Sequence, residues 1–373
     1  MSTPLASASD SFVQTEVRGR VGCITLNRPK ALNALSLEMV RSLTQALKVW
    51  REDTHVLAVV IRGMGKDGPF GSFCAGGDIR FFHEAALAGD DRLDAFFTEE
   101  YALNHLIHTY PKPYIAFMDG IVMGGGMGIS QGASLRIVTE RSKLAMPETG
   151  IGLFPDVGGG YFLSRCPGHL GEYLALTGHM LNGSEAVAAG LADALMESGR
   201  LAGLWDSLGR TPYESGEAVE RWCQNHLQKN VERANLPLLD INRVFALGDV
   251  PAILVALDAQ GSSWANETAA TLRKRSPLML HVVLEQIRRA RTMSLADDLR
   301  MERGMVYRSF NMTHLGRSGA QTETVEGIRA LAVDKDHQPR WNPGRIDEVT
   351  PAMVGPFFES PWPEQEHPLR GLV

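Results

Sequence analysis

The hydrophobic positions near the start of the chain follow two periodicities in turn. Runs rich in β-branched residues at 12–18 and 21–26 are joined by a glycine and predict a β-hairpin. After Ser36, apolar residues recur at helical spacing as far as Trp50, and a serine is a favourable N-cap, so this segment is predicted to be a helix. The short apolar run at 56–63 is typical of a strand buried on both faces.

Strand, glycine loop and helix then alternate along the chain. The glycine-rich loop GPFGSFCAGGDIR leads into a helix predicted near 79–88. The segment at 113–122 predicts one strand, and MGGGMG at 123–128 predicts a sharp turn before the next helix. Two further short strands are predicted at 135–139 and 143–147. This alternation over roughly 200 residues predicts the α/β fold class.

Beyond about residue 195 the pattern changes, because helical periodicity dominates, as in LMLHVVLEQIRRA at 278–290. The end of the chain is rich in proline and is expected to wrap the surface. The sequence therefore predicts three parts, which are a core at 12–200, a helical C-terminal segment at 201–350 and a proline-rich tail at 351–373.

Composition excludes several classes of function. With 44% hydrophobic residues and a net charge of −6, the chain resembles a soluble globular protein and has no broad basic surface for nucleic acid. No apolar run reaches the ~18 residues that a membrane span requires. Four scattered cysteines without a CxxC pair favour a reducing compartment over disulfides or a thiolate metal site. Residues 1–12 lack an apolar signal core and arginine, so we predict a cytoplasmic protein.

Two acids eight residues apart stand out in AMPETGIGLFPDVGGGYFL, at 145–163. Glu148 and Asp156 each follow a proline and are otherwise surrounded by glycines and apolar residues. Structural roles are available, since Glu148 suits the first turn of a helix and Asp156 suits a cap. Neither role explains why both acids lie in apolar surroundings. Buried carboxyl groups have raised pKa values and suit acid–base or nucleophilic work, so we interpret the pair as functional.

Two glycine loops offer a second chemical group. The loops CAGGD at 74–78 and GGG at 124–126 each follow a predicted strand and precede a predicted helix. Backbone amides at such positions favour negative charge, and two of them aimed at one carbonyl oxygen would form an oxyanion hole. A donor of this kind stabilises a transition state by ~3 kcal/mol. Tight turns with close packing remain the alternative for either loop alone.

Three other patterns are interpreted as structural. GISQG at 128–132 matches the nucleophile elbow of serine hydrolases, but Ser130 would lie more than one turn inside a helix instead of at a turn. His105 and His108 have helical spacing without an obvious acidic third ligand, so no metal site is predicted. Glu99 and Glu100 are expected to be solvated helix residues unless a functional role applies.

Several motifs together resemble the crotonase superfamily of acyl-CoA enzymes, and within it the 3-hydroxyisobutyryl-CoA hydrolases. They are ITLNRPKALNAL (24–35), FCAGGDIR (73–80), GIVMGGGMGIS (120–130) and the acidic stretch. The resemblance covers almost the whole chain and includes three segments that plain enoyl-CoA hydratases lack, at 260–265, 276–280 and 326–343. It implies a crotonase-like spiral of repeated ββα units with a helical C-terminal segment.

The resemblance also implies which residues bind and react. Coenzyme A would bind bent at the core, with the thioester oxygen held by the amides of Gly77 and Gly125. Glu148 matches the catalytic glutamate that the superfamily shares. Typical hydratases carry a second glutamate where this chain has Gly128, whereas Asp156 matches the hydrolases.

Glu100 matches a position linked with substrate binding in the hydrolases. The implied substrate-binding set is therefore Glu100, Gly125, Glu148 and Asp156. No metal and no cofactor are implied, because coenzyme A is part of the substrate.

The implied activity is hydrolysis of a short 3-hydroxyacyl-CoA, foremost 3-hydroxyisobutyryl-CoA in valine breakdown, with 3-hydroxypropionyl-CoA also open. The alternatives are an enoyl-CoA hydratase or isomerase, and a non-catalytic acyl-CoA-binding protein. Glu148 acts either as a nucleophile or as a general base on water. No membrane partner is expected, and a homo-oligomer is left open.

Overall fold

The computed structural model describes residues 11–227 and 234–373, which group into two compact units. Unit 1 contains the described residues of Met1–Gly77, Leu103–Leu144 and Leu181–Ala234. Unit 2 contains Asp78–Ala102, Ala145–Met180 and, from the described residues, Asn235–Val373. The predicted three-part division at residues 200 and 350 stays a prediction.

Within the described residues, the strands are β1 Val13–Arg18, β2 Val21–Leu26, β3 Ala58–Gly65, β4 Gly68–Pro69, β5 Tyr114–Met118, β6 Ile121–Met123, β7 Leu135–Val138, β8 Lys143–Ala145, β9 Leu181–Asn182 and β10 Ala194–Leu195. The helices are α1 Leu37–Glu52, α2 Ile79–Ala88, α3 Arg92–His108, α4 Gly125–Gln131, α5 Gly159–Leu163, α6 Leu170–Thr177, α7 Gly183–Ala188, α8 Leu201–Leu208, α9 Gly216–Gln224, α10 Leu238–Phe245, α11 Val250–Gln260, α12 Ser263–Leu272, α13 Pro277–Ala290, α14 Leu295–Phe310, α15 Glu323–Ile328 and α16 Pro351–Val354. Short 3-10 turns connect several of them.

Unit 1 is built on a sheet with the strand order β1-β2-β3-β5-β7-β10, with β4 paired to β3, and a smaller sheet of β6, β8 and β9. The predicted hairpin is confirmed, because β1 and β2 pair antiparallel. Along the rest of this strand order, β2 pairs with β3, β3 with β5, β5 with β7 and β7 with β10, all in parallel. Strand β3 is almost wholly buried, as its apolar run predicts. The sheet packs on helices α8 and α9 around Trp205 and Cys223.

The predicted helix after Ser36 is also confirmed. It forms α1, and the Ser36 hydroxyl accepts the Met39 amide at 3.3 Å. Its buried side chains are Met39, Val40, Leu43, Leu47 and Trp50, whereas Leu37 at its start is only partly buried. Local capping and helical periodicity therefore specify this element without help from distant residues.

Unit 2 is mainly helical, and its central helices are α13 and α14. Both are buried along much of their length, including polar residues such as Gln286 and Glu302. None of the helices in the described ranges combines the length and apolar composition needed to cross a bilayer. All four cysteines are buried free thiols. Burial raises the pKa of Cys23 and Cys223 to about 12, so these two thiols are not reactive.

The single strand predicted at 113–122 is wrong, because the chain breaks into β5 and β6 at Asp119 and Gly120. Gly120 has φ +75°, and a Cβ there would lie 2.1 Å from the Gly71 carbonyl oxygen. Only glycine fits this approach of two backbone segments. The apolar run continues through the break, so periodicity alone does not reveal it.

Gly120→Ala is expected to lower the free energy of unfolding by more than Gly190→Ala does. Both glycines have φ +75°, where alanine costs about 1–2 kcal/mol, but a Cβ at Gly190 would meet nothing within 4 Å. The difference between the two variants therefore measures the steric overlap with Gly71. Urea unfolding of both variants measures it, and equal losses would contradict the assignment.

Candidate active site

Glu148 and Asp156 lie in unit 2 and are both buried, with 6% of each residue exposed. Glu148 begins a 3-10 turn, Glu148–Ile151, and among residues 11–227 and 234–373 its Oε2 has no hydrogen-bond partner. Asp156 does not cap a helix, because α5 starts at Gly159 without a side-chain cap. Instead, its Oδ2 accepts a hydrogen bond of 2.9 Å from the Tyr101 hydroxyl. The capping role considered for Asp156 is therefore absent.

Glu100 lies on α3, and the expectation that it is solvated is wrong. The residue is 2% exposed, and its Oε1 has no hydrogen-bond partner in the part of the chain that the structure describes. The structure therefore adds a third buried carboxyl group to the predicted pair. A buried polar atom without a partner is costly to the fold and in a native protein calls for an explanation such as a functional role.

The three carboxyl groups interact electrostatically. Burial raises the pKa of Glu100 well above its ordinary value, and repulsion from Asp156 and Glu148 raises it further. Burial likewise raises the pKa of Glu148 well above its ordinary value, and repulsion from the charge of Asp156 raises it further. Burial raises the pKa of Asp156 to about 6, while the hydrogen bond from Tyr101 opposes that rise. Within this cluster, the ionised form of Asp156 is therefore the one that a buried phenol stabilises.

Two residues that influence these acids, Tyr101 and Arg275, were not predicted from the sequence. Tyr101 is fully buried and lies next to Glu100 in the chain, where an aromatic residue on a helix is indistinguishable from ordinary core. Arg275 is distant in sequence, yet its charge opposes the rise in the pKa of Glu148. Its guanidinium group donates to the Thr177 carbonyl oxygen, and its Nη1 would lie 2.5 Å from a Cβ at Gly150. No local signal connects Arg275 to the acidic stretch.

The two glycine loops lie in unit 1, and the structure brings them together there. A Cβ on Gly76, which has φ +107°, would lie 3.3 Å from the Met123 carbonyl oxygen and 3.7 Å from the Gly125 amide nitrogen. Gly77 forms an isolated parallel bridge with Leu35. Gly125 is the first residue of α4, so its amide has no acceptor within that helix. The two loops therefore pack closely, and the amide of Gly125 is also available as a donor. The oxyanion role of Gly77 and Gly125 stays a prediction.

Ser130 is not a nucleophile elbow. It lies near the end of α4, and its hydroxyl donates to the Gly126 carbonyl oxygen at 2.8 Å. His105 and His108 lie in the last turn of α3. Across 11–227 and 234–373, no group of three or more histidine, cysteine or acidic side chains could hold a metal ion.

The raised pKa of Asp156 predicts that Asp156→Asn stabilises the fold more at pH 7 than at pH 4. Folding raises the pKa of Asp156 from its ordinary 3.8 to about 6, so the folded chain binds this proton more tightly than the unfolded chain does. The resulting stabilisation is complete below about pH 4 and is lost as the pH rises to about 6. Asparagine does not titrate and therefore avoids that loss of stability, which for a pKa rise of this size is up to about 3 kcal/mol. Urea unfolding of both proteins at the two pH values checks this, and a difference independent of pH contradicts it.

The chain is similar to named hydrolases over most of its length. It is 42% identical over 348 residues to the mitochondrial 3-hydroxyisobutyryl-CoA hydrolase of Xenopus tropicalis, covering 92% of this chain and 87% of the relative. The protein of the same name from Gallus gallus is 40% identical over 359 residues, with 95% and 89% covered. Both similarities extend well beyond any single motif.

The predicted cytoplasmic location is wrong, because these relatives are named as mitochondrial proteins. The scattered cysteines had favoured a reducing compartment without indicating which one. The other basis for the cytoplasmic prediction was the composition of residues 1–12. Of these, residues 1–10 lie outside the described residues.

The fold is that of a solved relative. A carnitinyl-CoA dehydratase from Mycobacterium thermoresistibile matches with a TM-score of 0.83 and 37% identity, covering 94% of this chain and 97% of the other. This match confirms the predicted crotonase fold. The family model for enoyl-CoA hydratase/isomerase matches residues 21–358, which include both glycine loops and all three buried acids. The chain therefore belongs to the enoyl-CoA hydratase/isomerase family.

Proposed function

We propose that this protein hydrolyses the thioester of a short 3-hydroxyacyl-CoA, with 3-hydroxyisobutyryl-CoA as its preferred substrate. The products are 3-hydroxyisobutyrate and coenzyme A, in valine breakdown. The observation that carries the proposal is the buried acid pair of Glu148 and Asp156, with Asp156 bonded to Tyr101. Relatives named for this hydrolysis at 40–42% identity support it.

In the proposed reaction, the amides of Gly77 and Gly125 donate to the thioester oxygen. They stabilise the negative charge that develops on this oxygen when the carbonyl carbon is attacked, by ~3 kcal/mol for a positioned donor. Glu148 attacks the carbonyl carbon to form a mixed anhydride that water opens, or it removes a proton from an attacking water. Either route uses only groups of the chain and water, so we propose that no metal or cofactor takes part.

The carbon–sulfur bond breaks as the tetrahedral intermediate collapses, and coenzyme A leaves as a thiolate. Asp156 orients the substrate hydroxyl or the water, and in its protonated form it gives its proton to the thiolate. A pKa of about 6 suits this exchange, because the group changes protonation state near neutral pH. The positive charge of Arg275 favours the ionised form of Glu148 that either route requires.

Hydration of an enoyl-CoA is the second candidate, because the solved relative is named a dehydratase. It shares the glycine loops and Glu148 with the proposed hydrolase. Gly128 argues against it, because this position in α4 has no side chain where typical hydratases carry their second glutamate. Asp156 replaces that carboxyl group at a different position in the chain. A non-catalytic acyl-CoA-binding protein would need neither acid.

The deciding experiment follows free-thiol release from 3-hydroxyisobutyryl-CoA and hydration of crotonyl-CoA in parallel. Thiol release without hydration is the expected result. Hydration without thiol release would replace the proposal with the hydratase alternative. If neither reaction occurs, acyl-CoA binding is the remaining candidate function, and binding of the intact ester would then test it.

Heavy-oxygen water distinguishes the two routes open to Glu148. A single turnover on the anhydride route places one label in the Glu148 carboxyl group when water opens the anhydride at the Glu148 carbonyl carbon, and no other route can label this group. The general-base route labels only the acid product. Mass spectrometry of the peptide that contains Glu148 detects the difference.

The acyl group is the finer part of the proposal. One methyl group separates 3-hydroxyisobutyryl-CoA from 3-hydroxypropionyl-CoA and is worth ~1–3 kcal/mol of discrimination. The ratio of kcat/KM for the two esters measures the preference. The homo-oligomer that the resemblance leaves open is checked by light scattering of the same preparation.

A further inference from the structure

Two acids of α14 hold the backbone turn that follows Asp156. Glu302 accepts the amide of Gly158 at 2.7 Å through Oε2 and the amide of Gly160 at 2.9 Å through Oε1. Asp298, one helical turn earlier, accepts the amide of Tyr161 at 2.8 Å. Both acids are completely buried. They therefore satisfy amides at the start of α5 that would otherwise lack acceptors.

This turn needs such support because its backbone is strained. Val157, which directly follows Asp156, has φ +58°, and a β-branched residue is rarely found there. On the other side of Asp156, Gln286 donates to the Pro155 carbonyl oxygen at 2.7 Å and to Glu302 at 3.0 Å. The backbone is thus held both before and after Asp156. Strain that is maintained by surrounding contacts is common at functional sites.

The side chain of Asp156 has its own donor. Tyr101 is fully buried and donates to Oδ2 of Asp156 at 2.9 Å. Burial and the nearby charges of Asp156 and Glu302 raise the pKa of Tyr101 well above its ordinary value. The phenol therefore keeps its proton at working pH and can only donate to the carboxylate in this contact.

We propose that Tyr101 and Glu302 are positioning residues for Asp156: Tyr101 orients its carboxylate, and Glu302 fixes the backbone turn that carries it. The inference rests on the proposed function of Asp156 and adds the residues through which it acts. The titratable and charged groups near Asp156 are Glu100 and Tyr101 on α3, Glu148 in its 3-10 turn and Glu302 on α14. Beyond these, Arg275 lies near Glu148, Asp298 lies near Glu302, and Arg165 lies near Asp298.

Tyr101→Phe tests the first part. Loss of a hydrogen bond to a charged group is expected to lower kcat by about 10-fold to 100-fold, with KM changed less than about threefold. The basic limb of the pH profile, where Asp156 loses the proton that it gives to the thiolate, is expected to move to higher pH, because the lost donor favoured the ionised carboxyl group. Tyr110→Phe is the matched control. It removes a 2.7 Å hydrogen bond to the Leu47 carbonyl oxygen in unit 1 and is expected to leave both measurements unchanged.

Glu302→Gln tests the second part. Both oxygens of Glu302 accept backbone amides, so the NH2 group of a glutamine would have to face one of these amides, donor against donor. We expect kcat to fall at least about 10-fold with KM nearly constant, and Glu302→Asp to be less impaired. Glu172→Gln is the control, since it alters a buried glutamate of unit 2 that binds Arg291. It is expected to lower the melting temperature without changing kcat per folded molecule. If Glu302→Gln does not fold, Glu302→Asp decides the second part: a lower kcat at nearly constant KM supports it, and a wild-type kcat overturns it.

The outcomes separate this inference from the proposed function. An inactive Asp156→Asn variant alongside Tyr101→Phe and Glu302→Gln variants with wild-type kcat and pH profile would overturn the inference alone. Lower melting temperatures with unchanged kcat in both variants would overturn it as well. A fully active Asp156→Asn variant would instead remove the role of Asp156 on which the inference depends.

Discussion

Glu148→Gln is expected to release thiol from 3-hydroxyisobutyryl-CoA at least about 100-fold more slowly than the wild type, since positioned acid–base groups contribute factors of this size. Glutamine keeps the shape of the side chain but can neither attack the thioester nor remove a proton from water. Binding of the ester is expected to remain, because the change removes a reacting group and not the pocket. Thiol release and equilibrium binding are measured on the same preparation.

Glu172→Gln is the matched control for this variant. Glu172 is also a buried glutamate of unit 2, and one of its oxygens also lacks a hydrogen-bond partner within the described residues. Its other oxygen binds His169 and Arg291, so its loss disturbs packing and charge without touching the acid cluster. Full turnover in Glu148→Gln would remove this residue from the mechanism. Equal loss in both variants would show that the effect is structural.

Asp156→Asn is expected to lose most turnover as well, again by at least about 100-fold. Asparagine can still accept the hydrogen bond from Tyr101, so the geometry of the turn is retained. It cannot change protonation state, and the departing thiolate therefore receives no proton from this position. Steady-state thiol release measures the loss.

The same substitution is expected to stabilise the protein at pH 7, because the buried carboxylate is costly to the fold. An inactive and more stable variant would fit a residue kept for reactivity. A variant that is less stable and fully active would identify Asp156 as a structural carboxyl group. Kinetics and unfolding therefore answer the question together.

Local patterns predicted the elements that depend on neighbouring residues. The hairpin of β1 and β2 and the helix after Ser36 follow from alternation and capping within each segment. The break at Gly120 was missed, because its cause is the approach of Gly71, almost fifty residues away. The location was also missed, since cysteine usage reports redox conditions and not a particular compartment.

The acid pair could be found because its setting is local. Two carboxyl groups among prolines, glycines and apolar residues already indicate burial in the sequence. Glu100 was noticed only through the family resemblance, since a glutamate on a helix is ordinarily solvated. Its burial and its missing partner became visible only in the folded chain.

By itself, the sequence determined the fold class, the family resemblance and the two loops and two acids on which the proposed chemistry depends. These follow from residue types at fixed spacing, and spacing is preserved when the chain folds. Only the tertiary structure decided the environment of those acids. It placed the Tyr101 hydroxyl on Asp156, the charge of Arg275 near Glu148 and the carboxyl group of Glu302 under a strained turn. Hydrogen bonds and desolvation depend on distances between residues remote in sequence, and these distances exist only after the helices have packed.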